Sequence, residues 1–151
     1  MERGIANILH RDTIAVIVGS QTFERGEACF QQKRVERVES SPGELRGIVR
    51  PSEHGRRPYA VRVWVREQGV AYECSCPIGQ RLQFCKHTVA IALAYLEKER
   101  AEAEQGLALL RQALTAIPPP SLVEGLLVLA RRDVEWSTEL KRMCLERLGT
   151  L

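Results

Sequence analysis

Hydrophobic positions along this chain follow two different periods, and the changes between them divide it into segments. Residues 1–32 carry apolar side chains at helical spacing. Ser20 is placed to cap a helix running through TFERGEACFQQ, and DTIAVIV reads as helix because its neighbours do, although its β-branched residues suit a strand. From Val35 to Cys74 the period becomes two. RVERVE alternates, SPGE is a turn, ELRGIVR forms a second short run, and HGRRP breaks the chain before YAVRVWVRE. In that last run Tyr59, Val61, Val63 and Val65 share one face, which is core. Ala60, Arg62, Trp64 and Arg66 share the other. A turn at Gln68-Gly69 leads into VAYEC, the partner strand.

After Cys85 the helical period returns in HTVAIALAYLEKERAEAE, apolar early and charged late. Gly106 is expected to interrupt this helix before LALLRQALTAI. The run Pro118-Pro119-Pro120 ends it, since consecutive prolines cannot continue a helix. Ser121 is the expected cap of SLVEGLLVLARR, and Asp133 that of VEWSTELKRMCLERL, which sets Trp136, Leu140 and Cys144 on one stripe. The pattern predicts an α+β fold: a small antiparallel sheet with helices, followed by a helical C-terminal extension.

At 151 residues such a fold has enough chain for one core plus a helical appendage. No apolar run approaches the ~18 residues of a membrane span, and MERGIANILHRD lacks the pattern of a signal peptide, so no membrane partner and a cytoplasmic location are expected. In a reducing compartment, clustered thiols serve metals or redox chemistry more often than disulfides. Cys29 and Cys144 stand alone at core-facing helical positions and are expected to be buried and unreactive. Basic side chains are eighteen Arg against four Lys. Two readings of this bias stand level: GC-rich codon usage, or a need to bind phosphate, for which Arg offers a planar fork of donors. The charge is unevenly placed. Residues 23–100 hold fourteen Lys/Arg against ten Asp/Glu, a surplus of four, whereas residues 101–151 hold six against seven.

Within the positive part, ECSCPIGQRLQFCKH collects three of the five cysteines and one of the three histidines. Cys74 and Cys76 end the last strand, and Pro77 and Gly79 suit a turn that brings both thiols to one side. Cys85 and His87 follow where the long helix begins. Two short-spaced pairs joined by a modest loop can set four donors at the corners of a tetrahedron, the geometry zinc takes, with Zn–S near ~2.3 Å and Zn–N near ~2.0 Å. Three thiolates and an imidazole fill such a site and leave no position for water or substrate, so one structural Zn2+ is the expected cofactor. The positive end of the helix favours the Cys85 thiolate. A redox role fits less well, because the spacing is CxC and not CxxC.

These residues carry a resemblance. CSC…CKH is similar to the CxC–x(n)–CxH pattern of the SWIM-type zinc finger, found in bacterial proteins, chromatin-remodelling ATPases, transposases and partners of recombinase paralogues. TFERGEACF resembles the family's upstream F-x-R-G-x-x-Y segment, departing from it at Cys29, and KRVERV, YAVRV, SCP and CKHTVAIALAYL also look like family positions. The likeness covers roughly residues 20–98, with the bacterial type closest. It implies the zinc ligands Cys74, Cys76, Cys85 and His87, in agreement with the spacing, and three regions: an N-terminal helical segment 1–19, the SWIM-type module 20–104, and a helical extension 105–151 packed on or near it. Residues 107–151 resemble, more weakly, the helical tail that often follows this finger.

Catalysis is not expected. The chain has no glycine-rich phosphate loop, its two aspartates, Asp12 and Asp133, read as helix caps, and His10 and His54 have no nucleophile nearby in sequence. Glu73, beside the cluster, reads as a solvated strand end. Two binding roles remain, with no small-molecule substrate in either. One is nucleic acid, DNA above all, or a DNA-acting protein, with Arg50, Arg56, Arg57, Arg62 and Arg66 as the expected contacts. Bound zinc with three thiolates adds −1 to the charge of that part. Trp64 either stacks on a base or packs under the C-terminal helices. The other role is a protein–protein adaptor working through stripes such as Leu122, Leu126 and Leu129, although such stripes more often pack on their own domain.

Overall fold

The computed structural model describes Ile5 and residues 8–53, 56–67, 69–81 and 83–149. The order of elements is α1 (Arg11–Val18), α2 (Ser20–Gln31), β1 (Val35–Ser41), β2 (Glu44–Val49), β3 (Tyr59–Arg66), β4 (Gly69–Cys74), α3 (Lys86–Ala116), α4 (Pro119–Arg132) and α5 (Val134–Leu148). The α+β expectation is met: four strands form one antiparallel sheet in the order β1-β2-β3-β4. The chain divides into two units, Met1–Glu102 and Ala103–Leu151.

The sheet is a meander because each strand is followed by a turn too short for a crossover. Pro42 and Gly43 turn β1 into β2, with Gly43 at φ +78°, a conformation that suits glycine. Strand register places Leu45 opposite Val63, Gly47 opposite Val61 and Val49 opposite Tyr59, so these residues share the inner face. Leu45, Val49, Val61 and Val63 are buried there, while Tyr59 and Val65 are half-buried at the margins.

The start of α3 covers that face. From His87 to Leu93 every residue is buried, and Tyr95 also is. A helix apolar on all sides is an interior helix. Two glycines let it come so close. A Cβ on Gly47 of β2 would stand 2.1 Å from Ile91 Cδ1, and one on Gly26 of α2 would stand 2.4 Å from Val89 Cβ. The sheet and α2 thus grip α3 at positions where any side chain would push it away. Ile5, Leu9, Ile14 and Cys29 join the same core.

In 103–149 the picture differs. No residue of α4 or α5 is buried. Asp133 serves both helices, ending α4 through its backbone N–H to Leu129 O and capping α5 by accepting from the Trp136 N–H at 3.0 Å. No helix among the described residues is long and apolar enough to cross a membrane.

Several local expectations need correction. Gly106 does not interrupt α3, which runs unbroken to Ala116. A single glycine costs a helix interior only about 1 kcal/mol and removes no backbone donor. Ser121 lies inside α4, which starts at Pro119 and uses proline's preset φ in its first turn. Ser20 is the first residue of α2 and not its cap, a place held by Gly19 at φ +75°. Cys144 is exposed, since the stripe it shares with Trp136 and Leu140 has no buried residue. Gln68 of the expected turn and His54-Gly55 of HGRRP lie outside the described residues.

Gly47→Ala should therefore destabilise the chain by about 1–3 kcal/mol through overpacking. Gly106→Ala, with nothing within 4 Å of the added methyl, should stabilise it by up to about 1 kcal/mol. Urea unfolding of the two variants checks the sign of each.

Candidate metal centre and charged surfaces

The end of β4 and the start of α3 meet at the cysteine cluster. β4 delivers Cys74, the following residues turn back through Cys76 and a short 3-10 turn at Gly79–Arg81, and α3 begins at Lys86 between Cys85 and His87. Gly79 must be glycine for the turn to close, because a Cβ there would stand 2.4 Å from Cys74 O and 2.5 Å from Cys74 Cβ. One donor atom from each of Cys74, Cys76, Cys85 and His87 lies within 4.8 Å of all the others, and all four residues are buried.

The distances fit one metal ion. At the Zn–S and Zn–N lengths of a tetrahedral site, neighbouring donors lie about 3.5–3.8 Å apart. His87 Nδ1 is 3.8 Å from both Cys74 Sγ and Cys85 Sγ. The approach of Nδ1 makes it the ring nitrogen that would ligate a metal, and the Tyr59 ring packs on the imidazole with centroids 4.5 Å apart. Further groups steady the sulfurs. The Gly79 N–H donates to Cys76 Sγ at 3.2 Å, and Thr88 Oγ1 lies 3.4 Å from Cys85 Sγ. A hydrogen bond from the Cys74 thiol holds Cys85 well below the usual thiol range, against its burial, with His87 and Thr88 adding to the effect. The same bond, together with burial, pushes Cys74 up. Metal binding requires the sulfurs in their deprotonated form, so a cation arriving here would release protons.

Cys29 is not a fifth member. Burial pushes its thiol up, with Arg34 and Lys86 working in the opposite direction.

The five arginines read as nucleic-acid contacts are not gathered in one place. Arg62 and Arg66 lie on the outer sheet face, on either side of Trp64, with guanidinium carbons 4.8 and 5.5 Å from its ring. Trp64 is half-buried on that face. Arg62 is held by Glu44 through two hydrogen bonds of 2.9 and 3.0 Å, and Arg46 binds the same carboxylate. Register continues the neutralisation, since the row Glu39, Arg46, Arg62, Glu73 crosses all four strands with carboxylates at both edges. These side chains line a groove of about 850 Å³. Arg50 and Arg56 lie elsewhere, beside Gln32 and Pro58, paired with Glu36 at 3.3 Å and Glu53 at 2.8 Å. Arg57 is exposed.

Sequence reading missed a third charged surface. Arg25 of α2, Arg34 just beyond it, and Lys86 at the start of α3 line one cleft of about 580 Å³. They come from three separated segments and carry no motif of their own.

Cys76→Ser and His87→Ala should lose the bound metal and melt at markedly lower temperature, and Gly79→Ala should weaken metal retention. Cys29→Ala and Cys144→Ala should keep one equivalent by elemental analysis. Equal retention in all five would overturn the ligand assignment.

A second expectation concerns acid. Arg62, and then Arg46, hold the Glu44 carboxyl down from 4.5 to about 2. The pKa is lowered on folding, so this contribution is complete above the unfolded value and is lost as pH falls from about 4.5 towards 2. The difference in urea midpoint between the wild-type chain and Glu44→Gln should be constant near neutrality and vanish at the acid end of that window.

Comparison of the chain with models of protein families, with curated proteins and with solved structures finds no match.

Proposed function

We propose that the chain is a SWIM-type zinc module that binds nucleic acid, DNA above all, or a DNA-acting protein, and that it performs no catalysis. The observation that carries the metal half is the set of four buried donors at tetrahedral spacing. Three sulfurs and one nitrogen are a donor set typical of structural zinc. Bound zinc would supply cross-linking of β4 to α3, and the donors leave no vacancy for water or substrate. The ligands would be Cys74, Cys76, Cys85 and His87.

The nucleic-acid half rests on the surplus of four positive charges in 23–100 and on arginine as its main source. No element reads as a recognition helix for a major groove. Contacts through phosphate are the mode this surface supports, and they carry little sequence information.

One observation favours the adaptor reading as a second possibility. In 103–149, Leu107, Leu109, Val134 and Leu148 are each at least 60% exposed, together with the half-exposed Trp136 and Met143. Apolar surface on this scale often marks a protein contact.

Fluorescence anisotropy with labelled single- and double-stranded DNA tests the first reading. Binding should be tolerant of sequence and should fall steeply between low and moderate salt as counterions return. Elemental analysis of the same preparation should give zinc at one equivalent. Absence of binding to either DNA at low salt would leave the adaptor reading, to be pursued by identifying co-purifying proteins with and without nuclease.

A further inference from the structure

Six arginines of the first unit have carboxylate partners among the described residues. Arg11 pairs with Glu27, Arg37 with Glu39, Arg46 and Arg62 with Glu44, Arg50 with Glu36 and Arg56 with Glu53. A phosphate arriving at any of these must displace a glutamate. The cleft between α2 and the start of α3 differs. Arg25, Arg34 and Lys86 line it, and no Asp or Glu is among its described lining residues. Among the described residues Arg25 and Lys86 form no ion pair, and the Arg34 guanidinium donates to the Ser52 hydroxyl.

The backbone fixes this convergence. Thr22, Arg25 and Cys29 follow one another at helical spacing along the face of α2 that forms the wall, with Gln32 just past its end. Lys33 then takes φ +52°, a left-handed turn that ends the helix and places Arg34 at the same cleft. Lys86 is the first residue of a 31-residue helix, whose positive end adds to the potential. Three thiolates with a bound dication would contribute −1 behind this wall, which leaves the three cations in surplus.

Other lining groups are equally suited. Phe84 is half-buried and packs on Tyr72 with centroids 4.4 Å apart, and Ile78 is 49% exposed. Gln32 and Gln83 bring neutral amide groups. Cations for phosphates beside an aromatic and apolar wall for a base are the ingredients of single-strand binding. A paired duplex keeps its bases inside and cannot offer them to a recess.

We infer that this cleft, and not the arginines of the sheet, holds a single-stranded nucleic acid, with its phosphodiester backbone on Arg25, Arg34 and Lys86 and a base against Phe84 and Ile78. The inference rests on the nucleic-acid reading above and gives it a place and a strand form.

The test uses the full zinc-loaded chain and a labelled single-stranded DNA of about 15 nucleotides, near the upper site size of a single-strand-binding fold. Arg25→Gln/Lys86→Gln leaves the Arg34–Ser52 bond in place and removes two side chains that have no ion-pair partner among the described residues. It should weaken binding at least about tenfold at low salt and reduce the slope of log affinity against log salt by about 1.4, the single-strand value for two phosphates. The charge-matched Arg131→Gln/Arg132→Gln should keep wild-type affinity, and both variants should retain zinc and the wild-type melting temperature. The same wild-type chain should bind a duplex of equal length more weakly. Unchanged binding by Arg25→Gln/Lys86→Gln, or equal losses in the two double variants, would overturn the cleft while leaving nucleic-acid binding intact. Tighter binding of the duplex would overturn the strand assignment, and no binding by the wild-type chain would remove the underlying reading and the cleft with it.

Discussion

The junction between β4 and α3 governs the first unit. A strand end and a helix start must be held within a few ångströms of each other by the connection from Ser75 to Phe84, which itself adds little to the core. Only Cys76 and Gly79 are buried in that stretch among the described residues. Four inward-facing donors at tetrahedral spacing supply the missing cohesion when a cation bridges them. Without that bridge, the orientation of α3 on the sheet rests on packing alone.

That packing is unusually close. Gly47 and Gly26 admit Ile91 and Val89 on opposite sides of α3, so the helix is clamped between backbone surfaces. Close contact of this kind tolerates little rotation, because a small turn of the helix would drive a side chain into main chain. Metal centre and glycine contacts therefore specify the same thing, the pose of the first turns of α3, from its end and from its flanks. The cleft beside Lys86 inherits its shape from that pose.

Much of this was legible in the sequence because its periods are clean. The alternation Tyr59, Val61, Val63, Val65 gave the inner face of β3, and Asp133 was recognisable as a cap because a short acidic side chain before an apolar run has one common use. The cluster of four donors that could hold a metal was legible because its spacing is local. Failures have physical causes too. Gly106 and Ser121 act through small local preferences that a long helix and a proline pair override. Cys144 reads as core from its stripe, but a stripe says which face is apolar and not whether anything covers it. The pairing of Arg62 with Glu44 depends on strand register, and the convergence of Arg25, Arg34 and Lys86 on a turn at Lys33, so neither could be read from spacing.

The exposure of Cys144 sorts the five thiols into three chemical classes. Three belong to the candidate metal centre and are buried, and Cys29 is buried with its thiol pushed up by that burial. Cys144 alone is open to solvent. Electrophiles reach thiols according to access and thiolate character. The natural chain thus carries a built-in address for a single maleimide dye or spin label on α5, without any cysteine being removed. The same address is where air oxidation would first join two chains through a disulfide, so a reductant belongs in every preparation whose oligomeric state is to be interpreted.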